Sequence, residues 1–230
     1  MPITTCVFDA YGTLFDVAAA ARQAAGEDGF EELADLWPKL AADWRDRQLQ
    51  YTWLRAVADD HADFWQVTGD ALDWAMEAAG LQDRADLRER LMQLYWELAA
   101  FPEVPDVLGA LKDADMATGI LSNGTPEMLA GAVKSAGVAR LLDHTLSVET
   151  VGRYKPAKAV YDLVGRTFDC APEEVLFASS NGWDAAAAAA YGFRTVWVNR
   201  TGAPVERLTG KPHHIVEDLT GVPALARGDA

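Results

Sequence analysis

A run of β-branched and aromatic residues from Ile3 to Phe8 ends on Asp9 and breaks at once into Tyr11-Gly12-Thr13. An apolar run this short, bounded by a turn, fits a buried parallel strand. A carboxylate at the carboxyl end of such a strand lies where open α/β sheets bind their ligands. Gly12 lets the backbone turn sharply and approach whatever Asp9 meets. Taken alone, the segment would also suit a strand followed by an ordinary Asp-containing turn.

The rest of the chain repeats this strand-and-helix alternation. Strand-like runs fall at Thr4–Phe8, Ala117–Ser122, Thr145–Val148, Val175–Ala178, Thr195–Val198 and His214–Val216, with helical patterns in most of the gaps. That order predicts an α/β fold, a doubly wound Rossmann-like parallel sheet covered by helices on both faces. Between Asp16 and Ala100 no convincing strand appears. Amphipathic helices punctuated by Gly26, Gly29, Pro38, Gly69 and Gly80 fill that stretch, with Pro38 suiting the first turn of a helix and Gly80 a helix end. The expectation is a core of residues 1–16 and 100–230 carrying an all-helical cap at 17–99. Trp37, Trp44, Trp53, Trp65, Trp74 and Trp96 are expected to fill the cap and its seam with the sheet. The alanines from Ala185 to Ala190 read as a helix packed closely on the sheet.

Half of the 230 residues are hydrophobic, as in a globular protein, and no apolar run approaches the roughly 20 residues of a membrane span. The formal charge of −15 argues against a nucleic-acid partner. It also opposes the steering of small anions, so an anion site has to be built locally. The amino terminus lacks a secretory pattern, and Cys6 and Cys170 belong to no metal-spaced cluster. Reduced thiols in the cytoplasm are expected. His61, His144, His213 and His214 show no ligand spacing.

Three further segments carry chemistry. In ILSNGTPEM, Ser122 and Asn123 end a strand and Thr125-Pro126 opens a helix, which together suit an uncharged anion site. VGRYKPAKAVY places Lys155 after strand-like sequence, Pro156 at the first position of a helix, and Tyr161 a turn and a half along it. VLFASSNGWD ends another strand on Ser179, Ser180 and Asn181 and reaches Trp183 and Asp184 at a helix start, where Asp184 would also serve as an N-cap.

These segments, in this order and across essentially the whole chain, resemble the haloacid dehalogenase superfamily. Within it they are most similar to the L-2-haloacid dehalogenases, through FDAYGTLFD, WRDRQLQYTWLR, ILSNG, YKPAKAVY and SSNGWD. The resemblance implies Asp9 as nucleophile and Arg45 as a cap residue that receives halide. It implies catalytic roles for Thr13, Ser122, Asn123, Lys155, Tyr161, Ser179, Asn181 and Asp184. Its substrate-binding set is Tyr11, Asp46, Leu49, Phe64, Ser122, Asn123, Lys155 and Trp183. Asp46 departs from the uncharged polar residue of the family pattern, and a carboxylate there would repel an anionic substrate. A homodimer is likewise expected from the resemblance.

No cofactor and no metal are expected. The superfamily's phosphatases hold Mg²⁺ with paired acids of the first motif and acids after the fourth strand. Here Tyr11 takes the second acidic position and Ser179 and Ser180 follow that strand. Asp9 and Asp184 alone make a poor cage for a hard cation, and Lys155 competes for both. The expected reaction is displacement of halide from an (S)-2-haloalkanoate by Asp9, giving an ester and inversion at carbon 2. Water activated by Asp184, itself oriented by Lys155 and Asn181, then hydrolyses the ester. The alternatives are an azetidine-2-carboxylate hydrolase using the same nucleophile, a metal-dependent phosphatase, and a non-enzymatic binding module.

Overall fold

The computed structural model describes residues 1–229, and among them six strands form one sheet in which every neighbouring pair is parallel. The strands are β1 (Thr5–Phe8), β2 (Ala117–Ser122), β3 (His144–Ser147), β4 (Val175–Ser179), β5 (Arg194–Val198) and β6 (His214–Val216), in spatial order β3-β2-β1-β4-β5-β6. Each lies within one residue of a run read from the sequence. All four residues of β1 are buried, as suits the central strand of a sheet covered on both faces. The chain lays β2 on one side of β1 and β4 on the other, which makes the carboxyl end of β1 the topological switch point. Phe8 is level with Ile120 and Ala178, so Asp9 emerges between the ends of β2 and β4.

Helices α5 (Val104–Asp113), α6 (Pro126–Ser135), α7 (Lys158–Phe168), α8 (Gly182–Tyr191) and α9 (Val222–Arg227) accompany the sheet. The alanine run is in α8, where Ala185, Ala186 and Ala188 are buried and packed toward β4 and β5. The following loop lies just as close. A Cβ on Gly210 would stand 1.9 Å from the Ala186 carbonyl oxygen, so only glycine fits there. Thr125 caps α6 as expected, its hydroxyl accepting from the Met128 N–H at 3.2 Å.

Residues between β1 and α5 form the all-helical insertion, with α1 (Ala19–Ala24), α2 (Leu33–Ala58), α3 (Phe64–Ala78) and α4 (Ala85–Trp96). Trp44 is buried and its indole N–H donates to the Thr68 carbonyl at 2.8 Å, tying α2 to α3. At the root of the insertion its two connections bond to each other. The Asp16 N–H donates to the Ala99 carbonyl at 3.0 Å and the Phe101 N–H to the Leu14 carbonyl at 2.9 Å.

Three expectations need correction. Of the six insertion tryptophans, Trp44 is buried in the core and Trp37, Trp65, Trp74 and Trp96 pack against it, so the expectation fails for Trp53 alone, which is 37% exposed. Pro156 precedes α7 by two residues instead of opening it, because the chain first turns Lys155 into the sheet edge; Tyr161 then falls in the first turn of that helix. Pro38 stands at the sixth position of α2, not in its first turn. Leu33 and Leu40 are buried on either side of it, and that packing holds a turn that helix propensity alone would forgo. Pro38 has no N–H to donate to the Ala34 carbonyl. Pro38→Ala should therefore stabilise the protein by about 2 kcal/mol, the helix-interior cost of proline less its benefit in the unfolded chain. Chemical denaturation reads this as a raised midpoint at unchanged slope.

Candidate active site

The carboxyl ends of β1, β2 and β4 converge on one buried ammonium. Lys155 follows β3 and is 1% exposed, with Nζ 3.1 Å from Asp9 Oδ1 and 2.8 Å from Asp184 Oδ2. A lone ammonium would not stay charged at that depth. Burial does oppose its charge, but the two carboxylates outweigh burial and raise the Lys155 pKa above its ordinary value. Nζ also lies 4.9 Å from the centre of the Phe177 ring, a further favourable contact for a cation. The Lys155 backbone N–H donates to Asn123 Oδ1 at 3.0 Å, which fixes the segment to the end of β2.

The remaining carboxylate positions are filled by neutral donors. Asp9 Oδ2 accepts from the Thr13 hydroxyl at 3.1 Å and from Asn181 Nδ2 at 3.0 Å. Thr13 Oγ1 in turn accepts the Ser180 N–H at 2.8 Å, linking the first and fourth segments. Asp184 Oδ1 accepts from the Tyr161 hydroxyl at 2.7 Å. Burial raises the Asp184 pKa, with the Lys155 charge acting against it and Asp9 adding to it. Ser122 and Ser179 are buried and turn inward on their own loops, accepting the Gly124 and Asn181 N–H groups at 3.1 Å each.

Arg45 reaches this edge from α2. Its guanidinium donates to the Tyr11 carbonyl at 3.1 Å and to Asn181 Oδ1 at 3.4 Å, crossing from insertion to sheet. Its other arm donates to Gln48 Oε1 at 2.8 Å, and Gln48 Nε2 donates to Thr68 Oγ1 at 2.7 Å and Tyr95 Oη at 3.1 Å. Tyr95 stacks on Tyr11 with ring centroids 5.4 Å apart. Gln48 stands three residues after Arg45, a visible signal of a shared helix face. Tyr95, far along the chain, carries no such signal, and neither does Arg200. Arg200 donates to the Thr13 carbonyl at 3.0 Å and to Glu103 at 2.7 Å.

Asp9, Tyr11, Arg45, Leu49, Phe64, Ser122, Asn123, Lys155, Asn181 and Trp183 enclose one cavity. Thr13, Tyr161, Ser179 and Asp184 stand behind it. Asp46 does not belong to the wall. It is exposed on α2, because the next residue of a helix points about 100° away from Arg45, so the expected substrate contact is corrected. Asn181 binds Asp9 and Tyr161 binds Asp184, which also corrects the expectation that Asn181 orients Asp184. Nor is Asp184 an N-cap. That position is Asn181, and Asp184 lies inside the first turn of α8, facing Lys155. The set does not fit the Mg²⁺ of the phosphatase branch, since the Lys155 ammonium stands between the two carboxylates a cation would need.

A family model described as haloacid dehalogenase-like hydrolase matches residues 3–192. The chain belongs to that family. It is 45% identical over 226 residues to (S)-2-haloacid dehalogenase 1 of Pseudomonas sp. (strain CBS-3), covering 97% of this chain and 96% of that one. (S)-2-Haloacid dehalogenase 4A of Burkholderia cepacia is 42% identical, with 98% and 96% covered. The solved structure of L-2-haloacid dehalogenase from Xanthobacter autotrophicus with chloropropionic acid covalently bound superposes with a TM-score of 0.88 at 33% identity, covering 99% and 100% of the two chains. Among haloacid dehalogenase-like hydrolases, the sequence and fold of this chain thus match dehalogenases over nearly their whole length.

The Tyr161 hydroxyl pulls the Asp184 pKa down, against the burial that raises it. Removing it in Tyr161→Phe should raise that pKa further, so the acid limb of the kcat–pH profile moves to higher pH. Leaving the buried oxygen unpaired should also cost about 1–3 kcal/mol of stability. A profile unmoved in this variant would separate Asp184 from the titrating group.

Proposed function

We propose that this protein is a hydrolytic (S)-2-haloacid dehalogenase that converts (S)-2-haloalkanoates to (R)-2-hydroxyalkanoates and halide through an ester on Asp9, without a metal. The observation that carries the reading is the Asp9 carboxylate, held by Lys155, Thr13 and Asn181 at the wall of a cavity whose opposite side supplies Arg45. Full-length similarity to the dehalogenases supports the same substrate class.

In this mechanism one Asp9 oxygen attacks carbon 2 from the face opposite the carbon–halogen bond, whose electrons leave with the halide. Inversion follows from that geometry. Arg45, with Asn123 and the edge of Trp183, receives the halide. Such a preorganised donor is worth about 3–4 kcal/mol in the transition state. Ser122 and the Asn123 segment hold the substrate carboxylate, while Tyr11, Leu49 and Phe64 wall its side chain. Water then attacks the carboxyl carbon of the ester, and the hydroxy acid departs with the oxygen that Asp9 had donated. Asp184 serves as base for this step. Esterification removes the Asp9 charge that adds to the raised Asp184 pKa, and burial is what keeps this carboxylate the better proton acceptor.

Residues 17–99 act as a cap that closes on the core of 1–16 and 100–230, since Arg45 arrives from one and Asp9 from the other. No described helix is long and apolar enough to cross a membrane, and the cysteines Cys6 and Cys170 are free. A cytoplasmic homodimer accords with the free thiols and with the family resemblance.

Halide release from each enantiomer of 2-chloropropionate, beside phosphate release from p-nitrophenyl phosphate and all in excess EDTA, tests the reading. Halide from the (S) enantiomer alone, giving (R)-lactate, is expected; phosphate release restored by Mg²⁺ would overturn it. Arg45→Lys should slow ester formation by at least tenfold, more for chloride than for bromide, because Lys lacks the planar donor fork. Rapid-quench measurement of the ester checks this, and intact ester formation with slowed hydrolysis would assign Arg45 to the water step.

A further inference from the structure

A second seam between sheet and insertion is built around Glu149, in the turn after β3. Its backbone is mounted on the sheet edge. The Ser147 hydroxyl accepts the Glu149 N–H at 3.2 Å and donates to the Gly124 carbonyl at 2.6 Å, which ties Glu149 to the loop that carries Ser122 and Asn123. The side chain reaches the turn between α2 and α3. Its Oε1 accepts the Phe64 N–H at 3.3 Å, and its Oε2 meets His61 Nε2 at 2.9 Å. Five residues later the Tyr154 hydroxyl donates to the Ala62 carbonyl. The Tyr154 ring lies against those of His61 and Phe64, with centroids 4.9 and 6.1 Å away. Two residues from the core thus hold His61, Ala62 and Phe64 of the insertion.

Phe64 carries that contact to the cavity. It is buried, lines the cavity at Asp9, and lies 5.8 Å from Tyr11 between ring centroids. It is also the first residue of α3, where a backbone N–H has no partner within the helix and a carboxylate is favoured by the helix dipole. Asp63 caps this helix through the Gln66 N–H at 2.8 Å, so the Phe64 N–H is left for Glu149. The Phe64 carbonyl accepts the Thr68 hydroxyl at 2.6 Å. Phe64 is therefore fixed on both sides, by the core at its N–H and by its own helix at its carbonyl. A ring at a helix start moves with that turn, so its place in the wall depends on what holds the N–H. The Arg153–Asp59 ion pair belongs to the same seam, but with side chains 52% and 80% exposed it adds little.

We infer that Glu149 and Tyr154 are positioning residues for substrate selection, fixing the start of α3 so that Phe64 packs on the side chain at carbon 2 of the substrate. The inference rests on the dehalogenase reading. Neither residue lines the cavity, and both act through Phe64. A methyl group packed on such a wall is worth about fourfold in kcat/KM over a hydrogen at the same place. An acid without the methyl makes no use of the wall and is indifferent to its position.

The test compares kcat/KM for (S)-2-bromopropionate and bromoacetate in the wild type, Glu149→Ala, Tyr154→Phe, Phe64→Ala and the Glu149→Ala, Phe64→Ala double variant. The ratio of the two acids cancels the fraction of enzyme that is folded, so a merely structural role leaves it unmoved. Glu149→Ala should lower the ratio about threefold, most of the worth of the methyl, and keep bromoacetate turnover within twofold. Tyr154→Phe keeps the ring and removes one hydroxyl. It should lower the ratio about twofold, and it carries the test should Glu149→Ala fail to fold. Phe64→Ala should lower the ratio about fourfold and the double variant no further, because Glu149 then has no wall to place. A ratio unmoved in Glu149→Ala or Tyr154→Phe, or a double variant that multiplies the two single losses, would overturn the inference. Bromopropionate turnover in the wild type keeps the two readings apart. Its loss would remove the dehalogenase reading, whereas its presence with an unmoved ratio removes only the roles of Glu149 and Tyr154.

Discussion

The buried Lys155 ammonium between Asp9 and Asp184 is the constraint to which the rest of the structure answers. Two carboxylates and one cation removed from water are costly unless every lone pair and proton finds a partner. Here Thr13, Asn181 and Tyr161 take the carboxylate positions that Lys155 leaves open, and the Phe177 face lies beside the cation. These partners come from the loop after β1, from β4 and the segment that follows it, and from helix α7. The parallel sheet with its switch point at β1 is what brings them to one edge. Removing one member of such a cluster leaves an uncompensated buried charge, typically a loss of about 3–5 kcal/mol. Stability and chemistry are therefore coupled at this edge.

That arrangement also explains how a carboxylate can approach an anionic substrate in a chain of net charge −15. Lys155 offsets the charge of Asp9 and Asp184 from the wall of the cavity, while Arg45 brings a second cation from the insertion. Arg45 is itself held by Gln48, and Gln48 by Thr68 and Tyr95, so the insertion presents a preorganised donor in place of a mobile surface charge. Insertion and sheet together form a pocket lined from both sides, with Arg45 on one and Asp9 on the other. Trp183 and Trp53 seal it where the wall would otherwise be open.

Much of this was legible in the sequence because buried strands and sheet-edge polar residues leave local marks. Asp9, Lys155 and Asn181 follow strand-like runs and Ser122 ends one, and the structure brings all four to the wall of one cavity. Arg45 stood out only with its surrounding segment, since a lone arginine on a helix looks like any surface charge. Asp46 misled because adjacency along a helix means divergence in space. Pro38 misled because packing of Leu33 and Leu40 overrides a local helix-start signal. Tyr95 and Arg200 left no trace, as their partners are distant in the chain and their contacts arise only when the sheet and insertion are assembled.

The central claim is that Asp9 is the nucleophile, and single turnover in ¹⁸O-water, followed by mass analysis of enzyme and product, tests it most directly. Water attacks the ester at its carboxyl carbon, so the account predicts one ¹⁸O in Asp9 and an unlabelled first hydroxy acid. Label appearing in that first product with none in Asp9 would mean that water attacks carbon 2 itself, and would contradict the account.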